Sequence, residues 1–179
     1  IEMVLIPSDG RCTVCISSQV GCAVQCTFCA SGRHGLTRNL TAGEIVEEML
    51  HAYDLAYDFL EDERITNVVI MGIGEPLMNY ENLLKAVRLI NAPWGLEIGA
   101  RRITISTVGL PEEIRRLARE DLQVGLAISL HATDDETRNR LVPLNKKTGV
   151  DAVLAAADEY FRDTGREVTF EVVLIDGVN

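Results

Sequence analysis

ITISTVGLPEEIRRL, residues 103–117, holds one complete repeat of the fold. Ile103 to Thr107 is a short β-branched run of strand length. The polar and glycine-containing turn that follows ends at Pro111, Glu112 and Glu113. Proline costs little in a first helical turn, where its missing amide has no partner. Carboxylates there meet the positive end of the helix dipole. The stretch therefore predicts a strand, a loop and a helix, in that order.

The same succession extends in both directions. Upstream, Met3 to Pro7 predicts a short N-terminal β segment ahead of the cysteines. Thr41 and Glu44 form a capping box, and Ile45, Met49, Ala52, Ala56 and Leu60 recur behind it at helical spacing. Asn67 to Met71 (NVVIM) predicts a strand ending at Gly72, and Leu83, Leu84, Val87 and Ile90 form the stripe of a second helix. Downstream, Val124 to Leu130 (VGLAISL) predicts another buried strand. Val150 to Phe161 predicts a helix with Val153, Leu154, Ala157, Tyr160 and Phe161 inward, and Val168 to Leu174 (VTFEVVL) the strand after it. Apolar strands separated by helices indicate an α/β fold with a parallel sheet, here of about five β/α units. Both a partial (β/α) barrel and an open doubly wound sheet satisfy this pattern. Polar residues fall just after the strands, in GIGEP (72–76), at Ser106 and Thr107, and at Ser129 and His131. These are the carboxyl ends, where barrel-type active sites converge.

Composition narrows the functional classes. A chain of 179 residues with 47% hydrophobic and 25% charged residues suits one globular domain, residues 1–179. No apolar run approaches the roughly 20 residues of a spanning helix, and no charged-then-apolar leader is present. A cytoplasmic protein without membrane contact is expected. The chain opens without methionine, and we read it as a piece of a longer protein. A net charge of −10 argues against a general nucleic-acid clamp but leaves room for a local patch. Arg33, His34, Arg38, Arg101, Arg102, Lys146 and Lys147 are expected to flank the active-site loops and supply it.

All five cysteines lie between Cys12 and Cys29, a clustering that favours metal or redox chemistry over a disulfide framework. Cys22, Cys26 and Cys29 can hold three irons of a 4Fe–4S cluster and leave the fourth open. A zinc site completed by Cys15 or His34, and buried structural cysteines, are the alternatives on spacing alone.

CAVQCTFC (22–29), with Phe28 before the last cysteine, has the form of the radical S-adenosylmethionine (SAM) signature. CISSQVGCAVQCTFC, GLTRNLT, MGIGEPLMN, RRITISTVG, ISLHA and VPLNKK follow one another from Cys15 to Lys147. In these segments the chain resembles the RlmN/Cfr family of radical SAM adenine methyltransferases acting on ribosomal RNA. The resemblance implies a partial TIM-like barrel of the radical SAM type, a 4Fe–4S cluster held by Cys22, Cys26 and Cys29, and SAM bound at the open iron. It implies that Gly74, Glu75, Ser106, Ser129, Leu130 and His131 contact SAM. Cys15 corresponds to a cysteine that resolves a protein–RNA link as a thiolate and ends in a disulfide with a methyl-carrying cysteine downstream. No cysteine follows Cys29 here. Glu2 corresponds to the base that takes the adenine ring proton. Cys12 matches no role, and we read it as a small buried residue.

The implied partners are 23S rRNA, with tRNA as a second substrate, and an electron donor such as flavodoxin or ferredoxin; a monomer is expected. An N-terminal RNA-binding domain and a C-terminal segment would lie outside these residues. GEPLMN and VGCA place the chain nearer the RlmN branch, which methylates adenine carbon 2, than the branch acting on carbon 8. A radical SAM enzyme with another substrate and a zinc-stabilised binding module are the competing readings.

Overall fold

The structure, a computed structural model, describes residues 1–59 and 64–179. Leu60, assigned by its spacing to the first helix, lies outside the described residues. The chain forms β1 (Val4–Ser8), β2 (Arg11–Cys15), β3 (Gln19–Gly21), β4 (Leu36–Asn39), α1 (Ala42–Phe59), β5 (Ile65–Ile70), α2 (Tyr80–Asn91) and β6 (Ile103–Thr107). It continues through α3 (Pro111–Ala118), β7 (Gly125–Ser129), α4 (Asp135–Leu141), α5 (Asn145–Thr148), α6 (Val150–Thr164) and β8 (Val168–Glu171).

Six strands make one sheet in the order β1-β2-β5-β6-β7-β8. β1 pairs antiparallel with β2, and every later neighbour is parallel. The strand order follows the chain with no reversal. A doubly wound sheet has a switch point; this one has none and is a partial barrel. With right-handed crossovers, sequential order puts the connecting helices on one face. The first parallel strand is Arg11–Cys15, so Cys12 and Cys15 sit in the sheet. The N-terminal segment is its antiparallel edge.

Apolar burial explains the layers. Ile103 and Ile105 of β6, Val68 and Ile70 of β5, and Leu126 and Ile128 of β7 are all buried. They meet Ile45, Met49 and Ala52 of α1, Leu83, Val87 and Ile90 of α2, Ile114 and Leu117 of α3, and Val153 and Tyr160 of α6. Cys12 belongs to this core. Two of the five inward positions assigned to α6 are exposed: Leu154 and Phe161 flank Phe170 of β8 in a shallow concavity. β8 is the edge of the sheet, and no described strand covers that side. The strand stops at Glu171, so Val172 and Leu174 are exposed rather than paired.

Local chemistry sets the helix starts. The amide of Glu44 donates to Thr41 Oγ1 (3.2 Å) and the amide of Thr41 to Glu44 Oε2 (2.8 Å), a reciprocal capping box. Pro111 occupies the first turn of α3 with Glu112 and Glu113 beside it.

Candidate active site

Beyond β2 the chain stays bound to the end of β5 and the loop that follows it. Ile16 N–H donates to Val69 O (3.0 Å), and Ser18 and Gln19 N–H both donate to Ile73 O (2.9 and 3.1 Å). β3 and β4 then pair antiparallel and close the segment 22–35 into a loop, sealed by Cys22 N–H on Gly35 O (3.1 Å). Gly21 is required at the seal: its φ is +74°, and a Cβ would lie 2.0 Å from Gly35 O. Inside the loop, Cys29 N–H donates to Cys26 O (3.0 Å), and Thr27 N–H ties the loop to Leu141 O at the end of α4 (2.9 Å).

Cys22, Cys26 and Cys29 line a cavity of about 140 Å³ together with Gly74, Glu75, Ser106, Ser129 and His131. Eight of the eleven residues singled out from the sequence thus meet in one space. Leu130 lies just behind it in the core, and Cys15 and Glu2 do not line it.

Glu75 is almost wholly buried. Its Oε1 accepts from Leu77 N–H (3.1 Å) and its Oε2 from Val108 N–H (2.9 Å). Burial pushes its carboxyl up to about 7 despite those bonds. With Thr107 as a further side-chain partner, the carboxylate still has acceptor capacity for one more donor. Gly74 before it has φ +118°, and a Cβ would stand 2.7 Å from Gln19 Cβ and Ser18 Oγ. Gln19 bridges the two halves of the site. Its amide donates to Asn39 Oδ1 (2.7 Å), while its Oε1 accepts from Glu75 N–H (2.8 Å). Asn79 binds Ser18 O and Leu40 O (2.8 and 2.7 Å).

Ser106 and Ser129 end adjacent strands with their hydroxyls 3.5 Å apart. His131 adopts φ +62°. Its ring meets Phe28 edge to face at 4.7 Å, and its Nδ1 accepts from Val173 N–H (3.2 Å). Burial, and then the charge of Arg138, hold its pKa down, so the ring is neutral.

Cys15 is half-buried. Burial raises its thiol pKa, against a backbone hydrogen bond from Met71, and Glu48 raises it further. The thiol form is therefore favoured in this state. Ser17 Oγ donates to Glu2 O (2.7 Å) and accepts from Ile73 N–H (3.1 Å), which pins the N-terminal strand beside the loop after β5. The Glu2 side chain is exposed.

The cavity suits an iron–sulfur cluster. Burial, and then the neighbouring Cys29 and Cys22, push the Cys26 thiol up to about 12. Thiolates of Cys22 and Cys26 at this depth call for a positively charged partner. Among the described residues no three His, Cys, Asp or Glu side chains converge to hold one metal ion. A cluster takes one thiolate per iron and needs no such convergence. Cys22, Cys26 and Cys29 would hold it. No disulfide joins the described cysteines.

The basic residues are divided by topology. Arg33, His34, Lys146 and Lys147 lie in segments at the carboxyl ends of the strands. Arg101 and Arg102 precede β6 and sit at its opposite, amino end, where Arg102 Nη1 donates to Thr66 O (3.5 Å). They do not flank the site. Arg38 is paired with Glu44 (2.7 Å). Sequence reasoning missed Gln19, Asn79 and Arg138, because single buried polar residues carry no pattern in the chain.

A family model described as the radical SAM superfamily matches residues 16–179. A probable dual-specificity RNA methyltransferase RlmN of Thermotoga neapolitana is 54% identical over 179 residues, covering 100% of this chain and 51% of that protein. A protein of the same name from Rhodopirellula baltica is 51% identical, over 100% of this chain and 47% of that protein. The chain spans about half the length of the curated relatives it matches. Among solved structures, a radical SAM methyltransferase from Sphaerobacter thermophilus superposes with a TM-score of 0.97 at 53% identity, over 100% of this chain and 52% of that one. A spore photoproduct lyase mutant, 17% identical, shares the fold with a TM-score of 0.59, over 89% of this chain and 45% of that one.

Proposed function

From the premise that this chain belongs to the radical SAM superfamily, we propose that residues 1–179 are the catalytic core of an RlmN-type RNA methyltransferase. It methylates carbon 2 of an adenine in 23S rRNA, and in tRNA, using a 4Fe–4S cluster and SAM. The observation that carries this reading is the convergence of Cys22, Cys26, Cys29, Glu75, Ser106, Ser129 and His131 on one cavity at the strand ends. The identity of about half of all positions to proteins named RlmN supports the substrate class.

When bound, the cluster and SAM supply one-electron cleavage and a methyl source. The chain's residues orient them. Cys22, Cys26 and Cys29 hold three irons. Glu75, fixed by Leu77 and Val108 amides, accepts from the SAM ammonium with its remaining acceptor capacity. Ser106, Ser129, Leu130 and His131 frame the rest of SAM. The Glu2 carboxylate takes the ring proton of the adenine. Cys15 releases the product by attacking the sulfur of the cysteine outside these residues that is bridged to the adenine through its methylene: the S–S bond forms, the S–CH2 bond breaks, and the carbon leaves on the adenine and takes up a proton to become its methyl group. The raised Cys15 pKa favours the protonated thiol in the chain alone.

A flavodoxin- or ferredoxin-type donor reduces the site, and a monomeric, cytoplasmic enzyme fits. Among the described residues no helix is long and apolar enough to cross a membrane. The basic patch on the substrate side comprises Arg33, His34, Lys146 and Lys147.

Anaerobic reconstitution with iron and sulfide tests the reading. The complete protein should gain broad visible absorption, cleave SAM to 5′-deoxyadenosine and form 2-methyladenosine in a 23S rRNA fragment. Tight zinc uptake without SAM cleavage would restore the binding-module reading, and 8-methyladenosine would move the protein to the other branch.

A further inference from the structure

Arg138, on α4, is among the largest fully buried side chains of the described residues. Its Nε donates to Leu130 O (2.9 Å), Nη1 to Asn145 Oδ1 (2.5 Å), and Nη2 to Val108 O and Ser129 O. All four acceptors are neutral. Among the described ion pairs none involves Arg138. The carboxylate of Asp135 stands one amide away, accepting from Asn145 Nδ2 (2.8 Å) and already engaged by Val150 N–H (2.8 Å). A guanidinium taken out of water needs a negative partner or a full set of acceptors, and stays charged either way.

The surroundings show where that charge is directed. Val108, Ser129 and Leu130, whose carbonyls it holds, end β6 and β7 beneath the cavity. The far end of α4 takes the Thr27 amide on Leu141 O, and Leu141 and Val142 pack with Cys22 and Val24 under the cysteine loop. The guanidinium backs directly onto the cavity wall: Val108 and Ser129, whose carbonyls take Nη2, line the cavity together with Cys26 and His131.

We propose that Arg138 is a positioning residue that fixes the strand ends beneath SAM and serves as the buried counter-charge of the cluster, easing its one-electron reduction. This rests on Cys22, Cys26 and Cys29 holding that cluster. A 4Fe–4S core of charge 2+ on three thiolates carries a net charge of −1. One electron from a low-potential flavodoxin- or ferredoxin-type donor makes it −2, with no bond formed and no proton taken up. A fixed cation at the pocket wall stabilises the more negative state and raises the potential.

The test is a redox titration of the complete, reconstituted protein followed by electron paramagnetic resonance, alongside iron content and thermal stability. Arg138→Met should retain iron and shift the midpoint to more negative potential, so that the fraction reduced at a fixed donor potential falls several-fold. Arg138→Lys, which keeps the charge but not the fork, should restore most of that fraction while remaining less stable than wild type. A loaded Arg138→Met with the wild-type midpoint overturns the proposal. Should that variant fail to hold iron, Arg138→Gln removes the charge while its amide keeps a donor for the strand-end carbonyls. A negative shift there supports the counter-charge, and an unchanged midpoint overturns it. A wild-type protein that binds no cluster refutes the proposed function instead, so the two failures are distinct.

Discussion

Replacing Glu75 by Gln separates the two effects of burying a carboxylate at the site. Glu75 in the native state titrates near 7 against an ordinary 4.5, because burial disfavours its charge. Between those values the native state binds more protons than the unfolded chain, so stability falls as pH rises through the window. The difference corresponds to about 3 kcal/mol of stability present at acid pH and absent above pH 8. Glutamine carries no charge and escapes this loss. It has one acceptor oxygen where Glu75 has two, so its amide nitrogen must face the N–H of Leu77 or Val108. Leaving that buried donor unpaired costs about 1–3 kcal/mol at every pH.

The variant should therefore be less stable than wild type at pH 5 and equal to it or better at pH 8. Between pH 5 and pH 8 the gap should move by about 2.5 kcal/mol, or roughly 5–10 °C in Tm for a chain of this length. Urea and thermal unfolding of the cluster-free protein at both pH values measure it. Titrations elsewhere in the chain cancel in the difference. A gap constant to within about 1 kcal/mol would refute the claim that Glu75 is held near neutrality by burial.

Three further outcomes follow from the geometry. Gly74→Ala, at φ +118° and 2.7 Å from Gln19 Cβ, should cost about 2–4 kcal/mol by urea unfolding and weaken SAM binding by calorimetry. With Cys22, Cys26 and Cys29 replaced by Ala, Cys15 should react with iodoacetamide at pH 7.5 more slowly than a free cysteine and accelerate as pH rises, since its pKa is raised. A rate equal to that of free cysteine would contradict this. Ile105→Ala, fully buried in β6, should cost about 2–5 kcal/mol in the denaturant midpoint.

Strands and helices whose apolar residues repeat at their own period were legible in the chain. Ile103–Thr107 and the start of α3 at Pro111 stand where the residues predict them, and the Thr41–Glu44 box closes as its spacing requires. The converging ends of β5, β6 and β7 followed from polar residues placed after each run. What escaped was set by partners distant in sequence. RCTVC does not announce a central strand, because its exposure is decided by β1 and β5 on either side. DETRNRL is polar almost throughout, so a helix that buries Arg138 completely leaves no apolar stripe to detect. Arg101 and Arg102 were assigned to the wrong end because linear proximity to Ser106 hides the length of the strand between them. The choice between partial barrel and doubly wound sheet depends on strand order, which no local pattern encodes.

The β3–β4 hairpin has a consequence for how the thiols act together. By joining Gly21 to Leu36 and sealing Cys22 N–H on Gly35 O, it turns the intervening segment into a chelate ring whose closure entropy is met by the protein fold. Each sulfur that captures an iron then presents the other two at high effective molarity, so uptake is cooperative among Cys22, Cys26 and Cys29. Loosening the ring at Gly21 should weaken iron retention as a denticity effect, with every donor atom still in place.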